Sequence, residues 1–149
     1  MNTSSSAASR SLSASASINR RRAALENFTE IAGRVLLASL FLLSGLSKLG
    51  AYSATAGYMS AFGVPAALLP AVIATEVLGA IAIILGWQTR VVAGCLAVFS
   101  VLTAVTFHTK FGDQTQMIMF LKNVSIAGGF LLLVANGAGR LSIDRYFAK

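Results

Sequence analysis

Four long apolar segments, separated by short polar connections, dominate the hydrophobic pattern of this chain. They cover about residues 28–49, 65–87, 91–108 and 117–137. A helix rises about 1.5 Å per residue, so roughly 20 residues cross a hydrocarbon core about 30 Å thick. Each segment is near this length and contains few charged residues. The pattern therefore predicts an all-α fold, an integral membrane bundle of four transmembrane helices.

The connections between these segments differ in character. Residues 88–90 are too few for anything except a tight helical hairpin, and residues 110–116 form a short polar loop. The longest connection, residues 50–64, includes Tyr52 and Tyr58. Aromatic rings with polar tips settle at membrane interfaces. A short interfacial helix and a plain loop are the two alternatives for this connection.

Residues 1–24 have a different composition, rich in Ser, Ala and Arg and free of acidic residues. They lack the apolar core of a secretory signal. Such a composition predicts a disordered cytoplasmic tail, followed by a four-helix domain at residues 25–149. An organellar transit peptide has the same composition and is the alternative for the tail.

Composition and charge agree with a membrane protein. The 149 residues are 56% hydrophobic and 11% charged, whereas a soluble domain contains about 25% charged residues. The formal net charge of +7 does not indicate a nucleic-acid partner, because the basic residues flank the apolar segments and form no basic face interleaved with aromatic residues.

The distribution of basic residues predicts the orientation in the membrane. One predicted side carries Arg10, Arg20, Arg21, Arg22, Arg90, Arg140, Arg145 and Lys149. The opposite side carries only Lys48 and Lys110. Cytoplasmic loops carry the excess of Lys and Arg, so both termini are predicted to be cytoplasmic.

Polar residues inside the predicted helices are few, and an ionisable residue at this depth is a functional-site candidate. Glu76, Lys122 and Asn123 lie in the outer half of the predicted bilayer, and His108 closes the third helix on the same side. These four residues can occupy one pocket, and we predict that Glu76 pairs with Lys122, with Arg34 as the competing partner. A buried ion pair often gives little net stability, so a purely structural pair is the alternative.

The chain contains one histidine and one cysteine. These are too few for the two histidine ligands of a haem or for an iron–sulfur site, and no spaced carboxylate cluster accompanies them, so neither metal nor haem is expected from this chain alone. Cys95 is predicted to be a packing residue within its helix. His108 either faces headgroup water or faces the pocket, where it could exchange a proton near neutral pH.

Several motifs occur in a characteristic order along the chain. They are GRxLLAxLFLxSGLxKL, EVLGAIAIILGWQTRVVA, FHTKFGD, FLKNVSIAGGFLLL and GAGRLSID. Together they span about residues 33–144 and resemble the DoxX family of small four-helix membrane proteins. The resemblance implies that the following residues occupy family-typical positions: Arg34, Gly45, Lys48, Glu76, Gly86, His108, Lys122, Asn123, Gly128, Gly129, Ser142 and Asp144.

Members of this family are similar to the small membrane subunit of thiosulfate:quinone oxidoreductase. The resemblance implies a membrane subunit of a quinone-linked oxidoreductase in the bacterial inner (cytoplasmic) membrane, with a quinone as cofactor. Glu76 and His108 would then be the catalytic residues, which handle protons. The quinone would be bound by these residues: Lys122, Asn123, Arg34 and Lys48.

A second hypothesis is a non-enzymatic membrane scaffold or assembly subunit, whose polar cluster only fixes helix packing. A transporter is a weaker third hypothesis, because one four-helix unit needs oligomerisation to build an alternating-access path. The expected partners are the lipid bilayer and either a protein subunit or further copies of this chain, with no nucleic acid.

Overall fold

A computed structural model describes residues 3–148, with side chains from residue 15 onward. These residues form α1 (Thr3–Gly50), α2 (Tyr52–Ala61), a 3-10 turn (Ala66–Leu68), α3 (Leu69–Leu85), α4 (Thr89–Phe107), α5 (Gln114–Asn136) and α6 (Ile143–Phe147). No strand occurs among the described residues. The predicted all-α fold is confirmed.

Four helical stretches are long and apolar enough to cross a membrane. They are Ser15–Gly50 within α1, Ala66–Leu85, Thr89–Phe107 and Gln114–Asn136. The four predicted transmembrane segments are thereby confirmed, and the last three begin and end within a few residues of the predicted positions.

The start of α1 differs from the prediction. The sequence predicts a disordered tail over residues 1–24, whereas α1 is helical from Thr3 onward. No Gly or Pro precedes Gly33, and Ala and Arg favour helices, so the local sequence contains no helix breaker. Residues 1, 2 and 149 lie outside the described part of the chain, and the division into tail and domain stays a prediction.

The connection after α1 also becomes helical. Residues 52–61 form α2. Of the two alternatives, the short helix is therefore correct and the plain loop is wrong. Met59 is the buried residue of α2, and it packs with Leu69 and Ile73 of α3. The apolar side of α2 therefore packs against the start of α3.

The helices associate in two pairs around a central apolar cluster. The most extensive contacts join α1 with α3 and α4 with α5, and α3 also contacts α4. Phe41 of α1 packs edge-on against Phe99 of α4 and Phe130 of α5, with ring centroids 6.3 and 5.4 Å apart. The three aromatic rings thus connect the two pairs at the centre of the bundle.

The bundle has two ends, which we name by the charged residue of α1 found at each. The Lys48 end contains residues 50–65 and 108–113, which connect the helices there. The Arg34 end contains the α3–α4 turn and residues 137–148. In that turn Gly86 and Gln88 have positive φ angles of 70° and 48°, which confirms the predicted tight hairpin.

Candidate functional site

An ion pair with a buried carboxylate lies at the Lys48 end. Glu76 of α3 is buried, and Lys48 Nζ lies 2.9 Å from each of its two carboxylate oxygens. Ser44 donates a hydrogen bond of 3.2 Å to Glu76 Oε1 and accepts one of 2.6 Å from Lys48. Ser44 and Lys48 are four residues apart, so both face α3 from adjacent turns of α1. The Glu76 carboxylate is thus held by donors from one helix.

Gly45 allows α1 to approach α3 closely at this site. A Cβ atom at Gly45 would lie 2.7 Å from Val77 Cγ2 and 3.2 Å from Glu76 Cβ. Side chains in a packed interior have little freedom to relieve such contacts. Small residues let membrane helices approach closely, and here the close approach brings Lys48 within reach of Glu76.

The predicted pairing of Glu76 with Lys122 is wrong. Lys122 is exposed on α5 and makes no hydrogen bond or ion pair with residues 15–148. Helix α5 packs mainly on α4, whereas α3 packs mainly on α1. The neighbour of α3 therefore provides the cation, and that cation is Lys48.

The ion pair borders a cavity of about 760 Å³ between α1, α2, α3, α4 and α5. Its walls are mostly apolar or aromatic: Leu40, Phe41, Leu43, Tyr58, Met59, Val64, Val72, Phe99, Leu102 and Phe107. Glu76, His108 and Asn123 all line it, whereas Lys122 does not. Of the two alternatives for His108, the structure therefore shows the one that faces the pocket. Lys48 provides the basic group expected from Lys122.

His108 and Asn123 each keep hydrogen-bonding capacity toward this cavity. His108 Nδ1 lies 2.8 Å from Gln116 Oε1. An amide oxygen only accepts hydrogen bonds, so this amide orientation assigns the proton to Nδ1 and leaves Nε2 as an acceptor. Asn123 Nδ2 donates to the Met119 carbonyl at 3.0 Å, which uses one of its two N–H groups.

Arg34 occupies a separate buried position at the opposite end of the bundle. Its guanidinium donates to the Ile84 carbonyl at 3.3 Å and to the Leu141 carbonyl at 2.7 Å. The prediction that Arg34 competes for Glu76 is therefore wrong. Instead, Arg34 ties α1 to the end of α3 and to the segment after α5.

Gly86 fits closely around the Arg34 guanidinium. Its φ of +70° lies in the left-handed region that favours glycine. A Cβ atom at this residue would overlap Arg34 Nη1 and Ser142 Cβ. The Arg34 guanidinium is therefore closely packed, which favours a structural role.

The hydrogen bonds of Asp144 were not predicted from the sequence. Its carboxylate accepts hydrogen bonds from the Gln88 amide at 2.6 Å and the Thr89 amide at 2.9 Å. These amides open α4, where helical N–H groups have no partner within the helix. Burial acts to raise the pKa of Asp144, but hydrogen bonds from Thr89 and Gln88 and the charge of Arg34 outweigh it and lower the pKa. In the sequence, the one indication of these hydrogen bonds was the acidic residue at the end of the motif GAGRLSID.

The remaining candidate chemistry is sparse. Cys95 is exposed on α4, so its predicted packing role is wrong. Within residues 15–148, no group of three or more His, Cys, Asp or Glu residues could hold a metal ion. The candidate site is therefore the cavity with its ion pair.

Comparison with known proteins places the chain in a family. The DoxX family model matches residues 30–109. The inner membrane protein YqjF of Escherichia coli K12 is 43% identical over 125 residues, which cover 84% of this chain and 96% of YqjF. The inner membrane protein YphA of the same organism is 40% identical over 120 residues, which cover 75% of this chain and 85% of YphA. No solved structure matches. The family match, the two relatives and the four membrane-spanning helices together show that this chain is an integral membrane protein of the DoxX family.

Proposed function

We propose that this chain is the membrane subunit of a quinone-linked oxidoreductase and that the cavity at the Lys48 end binds the quinone. The observation that carries the proposal is the ion pair of Lys48 with the buried Glu76 on the wall of a largely apolar cavity of about 760 Å³. Small-molecule sites commonly have volumes of roughly 300–1,000 Å³, with few polar groups in apolar walls. A quinone combines a small polar ring with an apolar tail, and this lining fits both parts.

The polar residues of the lining can form hydrogen bonds with both the oxidised and the reduced form of a quinone ring. Tyr58 and Asn123 line the cavity, and their hydroxyl and amide groups can donate to a carbonyl oxygen. His108 Nε2 can accept from a ring hydroxyl, because Nδ1 faces Gln116. The lining thus offers donors to an oxidised ring and an acceptor to a reduced one.

The ion pair is suited to move protons. A quinone supplies two-electron, two-proton redox chemistry when bound. The Lys48 side chain is 24% exposed and the Glu76 side chain 6% exposed, and both residues line the cavity. We assign proton exchange at the wall to the Glu76 carboxylate. Electrons would come from a partner subunit, since one histidine and one cysteine cannot supply the two histidine ligands of a haem or the ligands of an iron–sulfur cluster.

We also propose that the chain lies in a bacterial inner membrane with both termini in the cytoplasm. The names of YqjF and YphA assign those proteins to the E. coli inner membrane. The excess of Lys and Arg at the Arg34 end and in α1 before it supports a cytoplasmic position for that end. The cavity then opens toward the outer half of the bilayer.

Quinone content after lipid-preserving extraction tests the proposal. The protein would be extracted in polymer nanodiscs, and quinone would be quantified by ultraviolet difference spectra and mass spectrometry. We expect bound quinone in the wild type and a loss in Glu76→Gln and Asn123→Leu. Lys122→Met is the matched control, since Lys122 neighbours Asn123 but does not line the cavity. Equal quinone content in all variants would contradict the proposal.

The same preparation tests the alternative function. A well-folded protein that retains a stoichiometric partner but no quinone would support a non-enzymatic scaffold or assembly subunit. In that case the ion pair would serve helix packing alone, and Glu76→Gln would leave partner retention unchanged.

A further inference from the structure

A second cavity, of about 530 Å³, lies at the Arg34 end. It is formed by the α3–α4 turn, the first residues of α4, the end of α5 and residues 137–148. Helices α3 and α5 end here and α4 begins here. The cavity therefore lies at the level where the membrane-spanning segments meet the membrane surface. The proposed function does not use it.

Three arginines line this cavity: Arg90, Arg140 and Arg145. All three are exposed, and none of their guanidinium groups forms a hydrogen bond or ion pair with residues 15–148. Arg90 lies against the backbone, with Nε 3.5 Å from the position of a Cβ atom at Gly137. The cavity thus gathers three cations whose hydrogen-bond donors remain available.

Among residues 15–148, the acid in the lining forms no ion pair with these cations. Asp144 lines the cavity, but its two carboxylate oxygens accept hydrogen bonds from the Gln88 and Thr89 amides. Glu30 lies nearby, and its carboxylate accepts from the Arg140 amide. The three guanidinium groups remain without a carboxylate partner among the described residues. Arginine binds phosphate oxygens with paired N–H donors.

Exposed apolar side chains lie among the lining residues or next to them in the chain. Tyr146 and Phe147 of α6 are 76% and 77% exposed, and Trp87, Val91 and Leu141 are also exposed. Aromatic residues of this kind settle at membrane interfaces. We call these five exposed side chains the apolar rim. A free anion would contact only the arginines, whereas a phospholipid would contact both the arginines and the apolar rim.

We propose that this cavity binds the headgroup phosphate of an anionic phospholipid and that its acyl chains lie along the apolar rim. Basic residues at the membrane surface attract anionic lipids. The cavity adds a defined position for one phosphate among Arg90, Arg140 and Arg145. This site is independent of the quinone site at the other end of the bundle.

Lipid titration of delipidated full-length protein tests the proposal. The protein in non-ionic detergent would receive phosphatidylglycerol, phosphatidylcholine or inorganic phosphate. Binding would be followed by native mass spectrometry and by the melting temperature from Trp87 fluorescence. We expect phosphatidylglycerol to bind at least roughly tenfold more tightly than phosphatidylcholine. Inorganic phosphate at millimolar concentration should neither raise the melting temperature nor displace the lipid.

Two matched triple variants separate the cavity from general charge attraction. One replaces Arg90, Arg140 and Arg145 by Gln, and the other replaces Arg20, Arg21 and Arg22 by Gln, so both lose the same charge. We expect the first variant to lose the preference for phosphatidylglycerol and the second to keep it. Arg145→Gln alone should weaken binding by roughly fivefold, and this variant covers the case in which the first triple variant does not fold.

Three outcomes would overturn the proposal. Equal losses in both triple variants would mean unspecific attraction to the basic surface. Equal binding of phosphatidylcholine would mean that the arginines do not select the headgroup. Stabilisation or lipid displacement by inorganic phosphate would identify a site for a free anion.

Discussion

Each end of the bundle buries one charged side chain, and the two are held in opposite ways. Glu76 is 4% exposed and faces a second charged side chain, Lys48, on the wall of a large cavity. Arg34 is 2% exposed, and its hydrogen bonds go to the main-chain carbonyls of Ile84 and Leu141. Its guanidinium packs against Gly86, where even a methyl group would overlap it.

The space around a buried charge thus decides whether that charge can act on a ligand or only holds the fold together. A carboxylate beside a cavity can meet a ligand or exchange a proton, because there is room for another molecule. A guanidinium enclosed by main-chain atoms can only hold those atoms in place. The surroundings of Glu76 are thus suited to binding and those of Arg34 to fixing the helices, and four substitutions test this contrast.

We expect the largest loss of stability at Gly86, which packs against Arg34. Gly86→Ala should lower the free energy of unfolding by about 3–4 kcal/mol, because it adds left-handed strain to an overlap with Arg34 and Ser142. Thermal unfolding in detergent, followed by Trp87 fluorescence, measures the loss. Gly128→Ala is the control, since no atom lies within 4 Å of the added Cβ. Equal melting temperatures for both variants would show that Arg34 is not closely packed.

Breaking the ion pair should have the next largest effect. Lys48→Met leaves a buried carboxylate without its cation and should cost about 3 kcal/mol. Glu76→Gln in the same protein should restore most of the loss, because it removes the unpaired charge. The melting temperatures of both single variants and of the double variant form the test. Additive losses would argue against a direct pair.

A smaller, pH-dependent effect is expected at Asp144. Its pKa is lowered in the folded protein, so its charged form stabilises the fold above the ordinary value of about 4. That stabilisation disappears as the pH falls through the lowered pKa. Asp144→Ala should cost about 1 kcal/mol at neutral pH and progressively less below pH 4. Unfolding curves from pH 7 down to pH 3 measure this difference, and a constant difference would contradict it.

The smallest effect is expected at Lys122. This residue is exposed and makes no hydrogen bond or ion pair with residues 15–148. Lys122→Met should therefore change the free energy of unfolding by less than about 0.5 kcal/mol. Unfolding in detergent and in nanodiscs would be compared. A loss that Glu76→Gln reverses would mean that Lys122 reaches Glu76 in the membrane.

Hydropathy alone predicted most of the helical architecture. The segments predicted at residues 91–108 and 117–137 correspond to Thr89–Phe107 and Gln114–Asn136. Long apolar runs specify helices in lipid, because every backbone polar group must then be satisfied within the segment. The extension of α1 before residue 25 was missed, because polar composition was taken as disorder although nothing there breaks a helix.

The partners of the buried charges were not predictable in the same way. The rise per residue places Glu76 and Lys122 at similar depths, so pairing them was consistent with the sequence. Depth does not specify which helices are neighbours or how each one is rotated. Ser44 and Lys48, four residues apart at the end of α1, were the available signal for a polar face directed at α3.

The sequence was sufficient to predict the number of spanning helices, the similar depths of Glu76, His108 and Asn123, and the family. These follow from hydrophobic length, from depth along each helix and from motif order. Only the tertiary structure decided that Lys48 pairs with Glu76 and that Arg34 binds carbonyl oxygens. The physical reason is that pairing depends on helix neighbours and rotation, which packing contacts such as those of Gly45 and Gly86 set.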